Sequence, residues 1–210
     1  MTSVFFSSLV LAALAAAPAM AADVSVAVTD AGGKPVPMAV VTYMPEGGAA
    51  VPAAAKSAPY TMAQKNIQFQ PFVLAIPAGA TVSFPNEDRV NHHVYSFSPV
   101  QPFQFPLYGS GMSHSMTFPH EGTVALGCNI HDSMSAYIRV VNTPYFATTG
   151  SDGRVTLKGV PEGAGRLAVW HPYMNGASHD QSRTLSIASV NPLQSFSVKL
   201  QQPAPITGTY

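Results

Sequence analysis

Charged side chains are scarce in this sequence of 210 residues. Ten Lys and Arg residues balance ten Asp and Glu residues, so that the formal net charge is zero. The basic residues form no cluster, whereas proteins that bind nucleic acids carry a basic patch or stripe. The composition therefore excludes nucleic acid as an expected partner.

Long hydrophobic runs are also missing beyond the first residues of the chain. The apolar run of residues 4–17 is too short to span a bilayer. Ala19-Met20-Ala21 then has the small-x-small pattern that signal peptidase cleaves, although no Lys or Arg precedes the run. We expect residues 1–22 to be a signal peptide and the mature protein to be periplasmic or secreted, without a membrane span.

Cysteine is nearly absent, because Cys128 is the only one in the sequence. No disulfide can therefore form within the chain. In an exported protein, an odd cysteine is a buried apolar residue, a partner for another chain, or a reactive or metal-bound thiol. His131 and Met134 follow Cys128 at spacings of three residues, and these neighbours favour the metal-bound thiol.

The sequence lacks the patterns of common catalytic sites. It contains no recognisable Ser-His-Asp set, phosphate-binding loop or pair of catalytic carboxylates. We therefore expect a protein that is not an enzyme.

A thiolate, an imidazole and a thioether thus lie on one short loop, formed by Cys128, His131 and Met134. Thiolate and thioether ligands favour Cu(I), and imidazole accepts both oxidation states of copper. A second imidazole can come from His92 or His93, but strand alternation allows only one of them to face the loop. Two His, one Cys and one axial Met form the ligand set of a blue-copper site.

Short strands and turns dominate the predicted secondary structure, because 19 Pro and 16 Gly residues punctuate runs rich in Val, Phe, Tyr and Thr. We predict an all-β protein. The predicted strands include residues 24–30, 36–43, 62–72, 73–76, 81–84, 112–118, 136–141, 184–187 and 196–200. Residues 48–59, rich in Ala and Pro, are predicted to be a linker, and residues 203–210 a tail.

The middle of the chain resembles the cupredoxins, the superfamily of plastocyanin, azurin and amicyanin. Its first half follows their order of a Pro-x-Gly turn, Val-x-Phe-x-Asn-x-Asp and a His before Val, and its second half follows their order Phe…Gly…Cys-x-x-His-x-x-Met…Ile-x-Val. The matching residues are Phe69, Pro71, Pro77, Gly79, Val82, Phe84, Asn86, Asp88, His92, Val94, Phe118, Gly122, Cys128, His131, Met134, Ile138 and Val140.

This resemblance implies a Greek-key β-sandwich with one type 1 copper site. It assigns one imidazole to His92, the thiolate to Cys128, the second imidazole to His131 and the axial thioether to Met134, on a loop whose spacing is similar to that of amicyanin. The sequence departs from the family at His93, which replaces the usual Asn, and at Ile130, which replaces a common Pro.

The flanking segments resemble the carboxypeptidase regulatory-like, or transthyretin-like, β-sandwich. Asp30, Gly33, Pro35 and Val36 match its first hairpin, and residues 152–163 match its second half. We predict a nested arrangement in which residues 23–55 and 144–202 form this small sandwich and residues 56–143 form the inserted cupredoxin domain. The alternative is one cupredoxin with β-rich extensions at both ends. Proteins with the nested arrangement resemble those described as methylamine-utilisation proteins.

Three functions are compatible with these features. The first is an electron carrier that passes single electrons between redox proteins, such as a c-type cytochrome or a periplasmic dehydrogenase. The second is delivery or storage of copper, and the third is a β-sandwich interaction module with structural or absent copper. Zinc is a poorer choice because Met is not a usual zinc ligand, whereas an oxygen ligand from Asp132 or Glu87 would give a non-blue copper site.

Other His and Met residues have simpler interpretations. Met112, His114 and Met116 share one face of a predicted strand, either as a Cu(I) relay or as its inward-facing half. His171 is expected at the edge of the core, and His120 and His179 are expected in solvent.

Overall fold

The protein is almost entirely β in the computed structural model, which describes residues 21–176 and 178–201. This confirms the predicted fold class. The predicted signal peptide lies outside the described residues except for Ala21 and Ala22, and the predicted tail lies wholly outside them. Along the described chain, no helix has the length and apolar character needed to cross a membrane.

The elements follow one another as short strands with one helical turn between them. In chain order they are β1 (Ala21–Asp30), β2 (Val40–Pro45), α1 (Ala53–Lys56), β3 (Tyr60–Thr61), β4 (Ala63–Gln64), β5 (Phe69–Gln70), β6 (Val73–Pro77), β7 (Ala80–Pro85), β8 (Val94–Ser96), β9 (Phe103–Gln104), β10 (Ser113–Phe118), β11 (Gly122–Cys128), β12 (Ser135–Val141), β13 (Tyr145–Thr148), β14 (Arg154–Pro161), β15 (Gly163–Trp170), β16 (Asp180–Ile187) and β17 (Gln194–Val198).

Strands from the two ends of the chain pair with each other, and we call them the outer region (residues 21–45 and 145–201). One sheet has the order β14-β1-β17, and the other has the order β13-β2-β15-β16. Strands of the first segment pair directly with strands of the second. Val26 of β1 lies opposite Val155 of β14, and Val41 of β2 lies opposite Val169 of β15.

The strands between these two segments form the inner region (residues 60–141). Its largest sheet has the order β6-β12-β11-β8-β9, a second has the order β10-β7-β3, and β4 and β5 form a small hairpin. In the largest sheet, β6 and β12 are parallel, and β11 is antiparallel to both β12 and β8. Because β11 and β8 run in opposite directions, the end of β11 meets the start of β8.

Each region has its own apolar core, because successive strand residues point to opposite faces. In β1, for example, Val24, Val26 and Val28 are fully buried. These valines belong to a cluster made of outer-region side chains, while Phe84 and Ile138 belong to a separate inner cluster.

A third, smaller cluster joins the two regions. It contains Val40 and Trp170 from the outer region and Val73, Ala75 and Val141 from the inner region. The guanidinium of Arg139 lies 5.4 Å from the Trp170 ring, within the range of a cation–π interaction.

Three local predictions differ from the structure. Strand β2 begins at Val40 and not at residue 36, because Met38 has a φ of 59°, which an extended strand does not allow. The predicted strand of residues 62–72 is a hairpin, whose turn residues Asn66 and Ile67 also have positive φ values of 57° and 54°. The predicted linker contains α1, which begins at a run of three alanines.

Candidate metal centre

Strand β11 delivers Cys128 to the edge of the inner region. Cys128 is the last residue of the strand, lies opposite Val94 of β8 and is 3% exposed. At the preceding position the ring of Tyr95 on the neighbouring strand covers Gly127, so that a Cβ there would lie 2.6 Å from the ring and the ring would have to move.

His92 reaches the same point from the segment before β8. It is fully buried, and two backbone hydrogen bonds with Tyr108, of 3.1 and 3.0 Å, hold its main chain. Its Nδ1 lies 3.8 Å from the Sγ of Cys128. Strand alternation turns the next residue, His93, toward Tyr95, at a ring distance of 6.0 Å. Of the two candidate histidines, His92 is the one that meets the thiol.

His131 completes the group from the loop after β11. Its Nδ1 lies 3.7 Å from the Sγ of Cys128, and its half-buried ring lies 5.0 Å from the ring of His92. The loop is fixed by a hydrogen bond of 2.9 Å from Met134 N to His131 O and by another of 3.2 Å from Asn129 N to His93 O. The donor atoms of His92, Cys128 and His131 all lie within 4.8 Å of one another, so the group could hold a metal ion.

The sulfur–nitrogen distances fit a metal bound between these atoms. Bonds of about 2.3 Å to sulfur and about 2.0 Å to nitrogen separate the two ligand atoms by about 3.7 Å at an angle of about 120°, and by about 3.5 Å at the tetrahedral angle. The observed 3.7 and 3.8 Å match the wider angle. A trigonal arrangement of two His and one Cys is the geometry of a blue-copper site.

Asp88 sets the orientation of the His92 ring. Its Oδ2 lies 2.9 Å from the Nε2 of His92, and the carboxylate also accepts hydrogen bonds from the backbone N–H groups of Asn66 and Ile67 at 2.6 and 3.0 Å. Burial acts to raise the pKa of Asp88, but the hydrogen bonds from Ile67, His92 and Asn66 outweigh it and lower the pKa. An ionised Asp88 accepts a hydrogen bond from the Nε2–H of His92, so that the lone pair of Nδ1 faces the thiol, as in carboxylate–histidine–metal sites.

A buried polar network holds the segment that carries Asp88 and His92. The side-chain amide of Asn86 donates to Val90 O at 2.8 Å and to Tyr108 O at 3.0 Å, and its Oδ1 accepts from Asp88 N at 2.9 Å. The hydroxyl of Tyr108 donates to Gln64 Oε1 and, at 3.0 Å, to Phe84 O. Burial, assisted by the charge of Cys128, raises the pKa of Tyr108, so this phenol stays protonated and remains a donor.

Met134, the predicted axial ligand, lies on the same loop. It is 2% exposed and belongs to the same core cluster as Cys128. Neither alternative oxygen ligand belongs to the His–Cys–His group. Glu87 forms an exposed ion pair of 3.0 Å with Lys65, and Asp132 is an exposed residue of the loop between His131 and Met134.

The remaining His residues form no second His, Cys, Asp or Glu cluster of the size of a metal site within the described residues. His114 stacks on Phe105 at 4.8 Å, Met116 accepts a hydrogen bond from Gln101 at 3.5 Å, and Met112 is 54% exposed. These contacts fit an inward-facing strand better than a relay. His171 is buried, as expected near a core edge, and burial lowers its pKa to about 4. His179 is half-buried, with its Nδ1 2.6 Å from Met174 O, whereas we expected it in solvent.

Sequence reasoning identified the residues on the Cys128 loop but missed the roles of Asp88, Tyr108 and Gln64. Asp88 precedes His92 by four residues, and this short spacing was the available signal. Tyr108 and Gln64 are 44 residues apart, and no local pattern links them.

Part of the chain is similar in structure to solved cupredoxins. A copper-containing nitrite reductase from Thermus scotoductus SA-01 is 32% identical, with a TM-score of 0.39, over 40% of this chain and 23% of its own. A purple cupredoxin from Nitrosopumilus maritimus is 23% identical, with a TM-score of 0.36, over 39% of this chain and 99% of its own. A point mutant of amicyanin in its Cu(I) form is 22% identical, with a TM-score of 0.38, over 48% of this chain and 98% of its own.

The present chain thus spans less than a quarter of the nitrite reductase and nearly the whole of the two smaller proteins. No family model and no curated protein matches the sequence. Each structural match leaves more than half of the present chain uncovered, so the likeness to cupredoxins concerns one part of the chain.

Proposed function

We propose that the protein binds one copper ion and transfers single electrons between redox partners. The ligands are His92, Cys128, His131 and, as the weak axial ligand, Met134. The observation that carries this proposal is the pair of imidazole Nδ1 atoms at 3.7 and 3.8 Å from one buried thiol. A bound copper ion would supply a centre that accepts and releases one electron.

The way in which the ligands are held favours electron transfer over copper delivery. His92 is fixed by Asp88 and by the backbone of Tyr108, and the His131 loop is fixed by Asn129 and Met134. Cu(I) and Cu(II) can share a site whose ligands cannot rearrange, and this keeps the reorganisation on electron transfer small. A delivery protein must instead release its ion, which requires ligands that move.

The half-buried His131 provides the edge through which a partner can approach. Ile130 beside it is an apolar residue that is 45% exposed. A small apolar edge fits the transient interfaces of redox proteins. A c-type cytochrome or a periplasmic dehydrogenase would be a suitable partner, and the site would work as an electron carrier and not as an enzyme.

We further propose that the inner and outer regions are the two predicted domains, with the copper domain inserted into the smaller sandwich. The separate core clusters and the direct pairing of β1 with β14 and β17 support this division. Export to the periplasm or to the medium follows from the predicted signal sequence.

The absorption spectrum of the Cu(II)-loaded mature protein tests the ligand set. We expect a strong thiolate-to-copper band toward the red end of the visible range, which Cys128→Ser abolishes. His92→Gln should also abolish it, whereas the matched variant His93→Gln should retain it. A colourless protein that takes up only Cu(I) would favour copper delivery, and an unchanged spectrum in Cys128→Ser would show that the site is wrong.

A further inference from the structure

Met134 and Phe72 line the same open hollow at the surface of the inner region. The hollow has a volume of about 230 Å³, and its other lining residues are Gln68, Phe69, Ser133 and Ser135. Met134 itself is 2% exposed and belongs to the core. Because packed interiors transmit strain, a shift of Phe72 in this wall would be felt by Met134.

Phe72 is the wall residue that also contacts the outer region. Its carbonyl oxygen accepts a hydrogen bond of 2.9 Å from Tyr137 N, near the start of β12 and three residues after Met134. Its ring packs edge-on against the Tyr137 ring at 5.5 Å and lies 5.6 Å from the ring of Tyr173. A displacement of Phe72 would therefore move both the wall of the hollow and the beginning of β12.

Tyr173 is itself held firmly within the outer region. Its backbone N–H donates to the Nδ1 of His171 at 3.2 Å, and its carbonyl oxygen accepts from Gln201 N at 2.7 Å. Two residues further on, Asn175 N donates a hydrogen bond of 3.0 Å to the carbonyl oxygen of Lys199, just after β17. The backbone of Tyr173 is thus held by the outer region, while its ring contacts Phe72 of the inner region.

We infer that Tyr173 is a positioning residue for the copper centre, because it fixes Phe72 and thereby Met134. This inference rests on the proposed function, since it takes Met134 as the axial ligand. The axial ligand tunes the potential of a blue-copper site. The outer region would then set the redox potential of a metal bound wholly by the inner region.

The reduction potential of the copper-loaded protein tests this role. Removal of the ring in Tyr173→Ser should let Met134 move away, and a thioether that donates less disfavours the more positive oxidised ion. We expect the ratio of the Cu(II) affinity to the Cu(I) affinity to fall about threefold. For a one-electron couple, this corresponds to a rise of about 30 mV in the reduction potential. Tyr173→Phe keeps the ring and should retain the wild-type potential.

Tyr145→Ser is the matched control, because Tyr145 is also a half-buried tyrosine that packs against the outer core. If Tyr145→Ser shifts the potential as much as Tyr173→Ser does, the effect is a general loss of stability and the inference is wrong. Tyr173→Leu replaces Tyr173→Ser should the serine variant not fold.

A readout without copper separates this inference from the proposed function. In the metal-free protein, the methyl NMR signal of Met134, assigned from Met134→Leu, should shift in Tyr173→Ser and stay in place in Tyr173→Phe and Tyr145→Ser. An unmoved signal overturns the positioning role and leaves the copper site intact. A moved signal in a protein that takes up no copper supports the mechanical link but overturns both the proposed function and the role in setting a potential.

Discussion

The inner and outer regions are built from the same kind of short strand, but they use buried polar side chains differently. In the inner region two of the buried polar side chains lead to His92: Asn86 holds the segment of Asp88, and Gln64 holds Tyr108. In the outer region they tie neighbouring strands together, as Thr149 does by bonding Ala39 N and Val36 O at 2.9 and 2.8 Å.

This difference indicates where the protein carries its chemistry. Burying a polar group stabilises a fold only if its hydrogen bonds are satisfied, and the net gain is small. A network that surrounds a single histidine is therefore better explained by the need to orient that ring than by stability. The contacts of Thr149, by contrast, join two backbone segments of the outer region.

The largest expected effect comes from Asn86→Ala. The variant removes the three hydrogen bonds of the Asn86 side chain, with Val90 O, Tyr108 O and Asp88 N. At about 1 kcal/mol each, these bonds predict a loss of about 3 kcal/mol in the free energy of unfolding. Because the lost bonds position His92, copper affinity should fall as well. Urea unfolding and a competitive copper titration measure the two effects, and a stability loss with unchanged affinity would contradict the functional interpretation of this network.

Thr149→Val is the outer counterpart of that variant. It removes the two hydrogen bonds of the threonine hydroxyl at nearly constant volume, and we expect a loss of about 2 kcal/mol. Copper affinity and the visible spectrum should not change. A loss of affinity here would erase the distinction between the two regions.

His171 should make the stability of the outer region sensitive to pH. Its pKa is about 4 in the folded protein because of burial and about 6.5 when unfolded, so that below pH 6.5 the unfolded chain binds the proton more readily. Stability is complete above pH 6.5 and falls as the pH approaches 4, by about 2 kcal/mol after allowance for solvent screening. The metal-free His171→Asn variant should lose less stability than the wild type between pH 7 and pH 4, and equal losses would show that His171 is not responsible.

Asp88→Asn should change the free energy of unfolding least among these variants. It should nevertheless weaken metal binding clearly. The side-chain amide of Asn can donate a hydrogen bond to the Nε2 of His92, which favours the tautomer protonated at Nδ1 and blocks the metal-facing nitrogen. Loss of such a partner typically costs about 10–100-fold in metal affinity. Glu87→Gln is the matched control, because Glu87 pairs with Lys65 at the surface, and an equal loss of affinity in both variants would point to charge alone.

Features that depend on local sequence patterns were predicted correctly. Alternation gave β1, and the spacing of Cys128, His131 and Met134 marked the loop where the structure brings the first two of these residues to His92. Positive φ values at Met38 and Ile67 were not predictable, because neither residue type favours that region, whereas asparagine, as at Asn66, does. The contacts of Phe72 with Tyr173 and of Tyr108 with Gln64 join distant parts of the chain, and single-sequence patterns contain no signal for such pairs.

Reversible one-electron cycling of the copper-loaded protein tests the central claim most directly. In a spectroelectrochemical titration, the visible band should bleach on reduction and return on oxidation along a single curve, with one electron for each chain. The same titration of Cys128→Ser should show no band at any potential. A band that does not return, a stoichiometry other than one electron, or a wild-type protein without any band would contradict a one-electron copper centre at His92, Cys128 and His131.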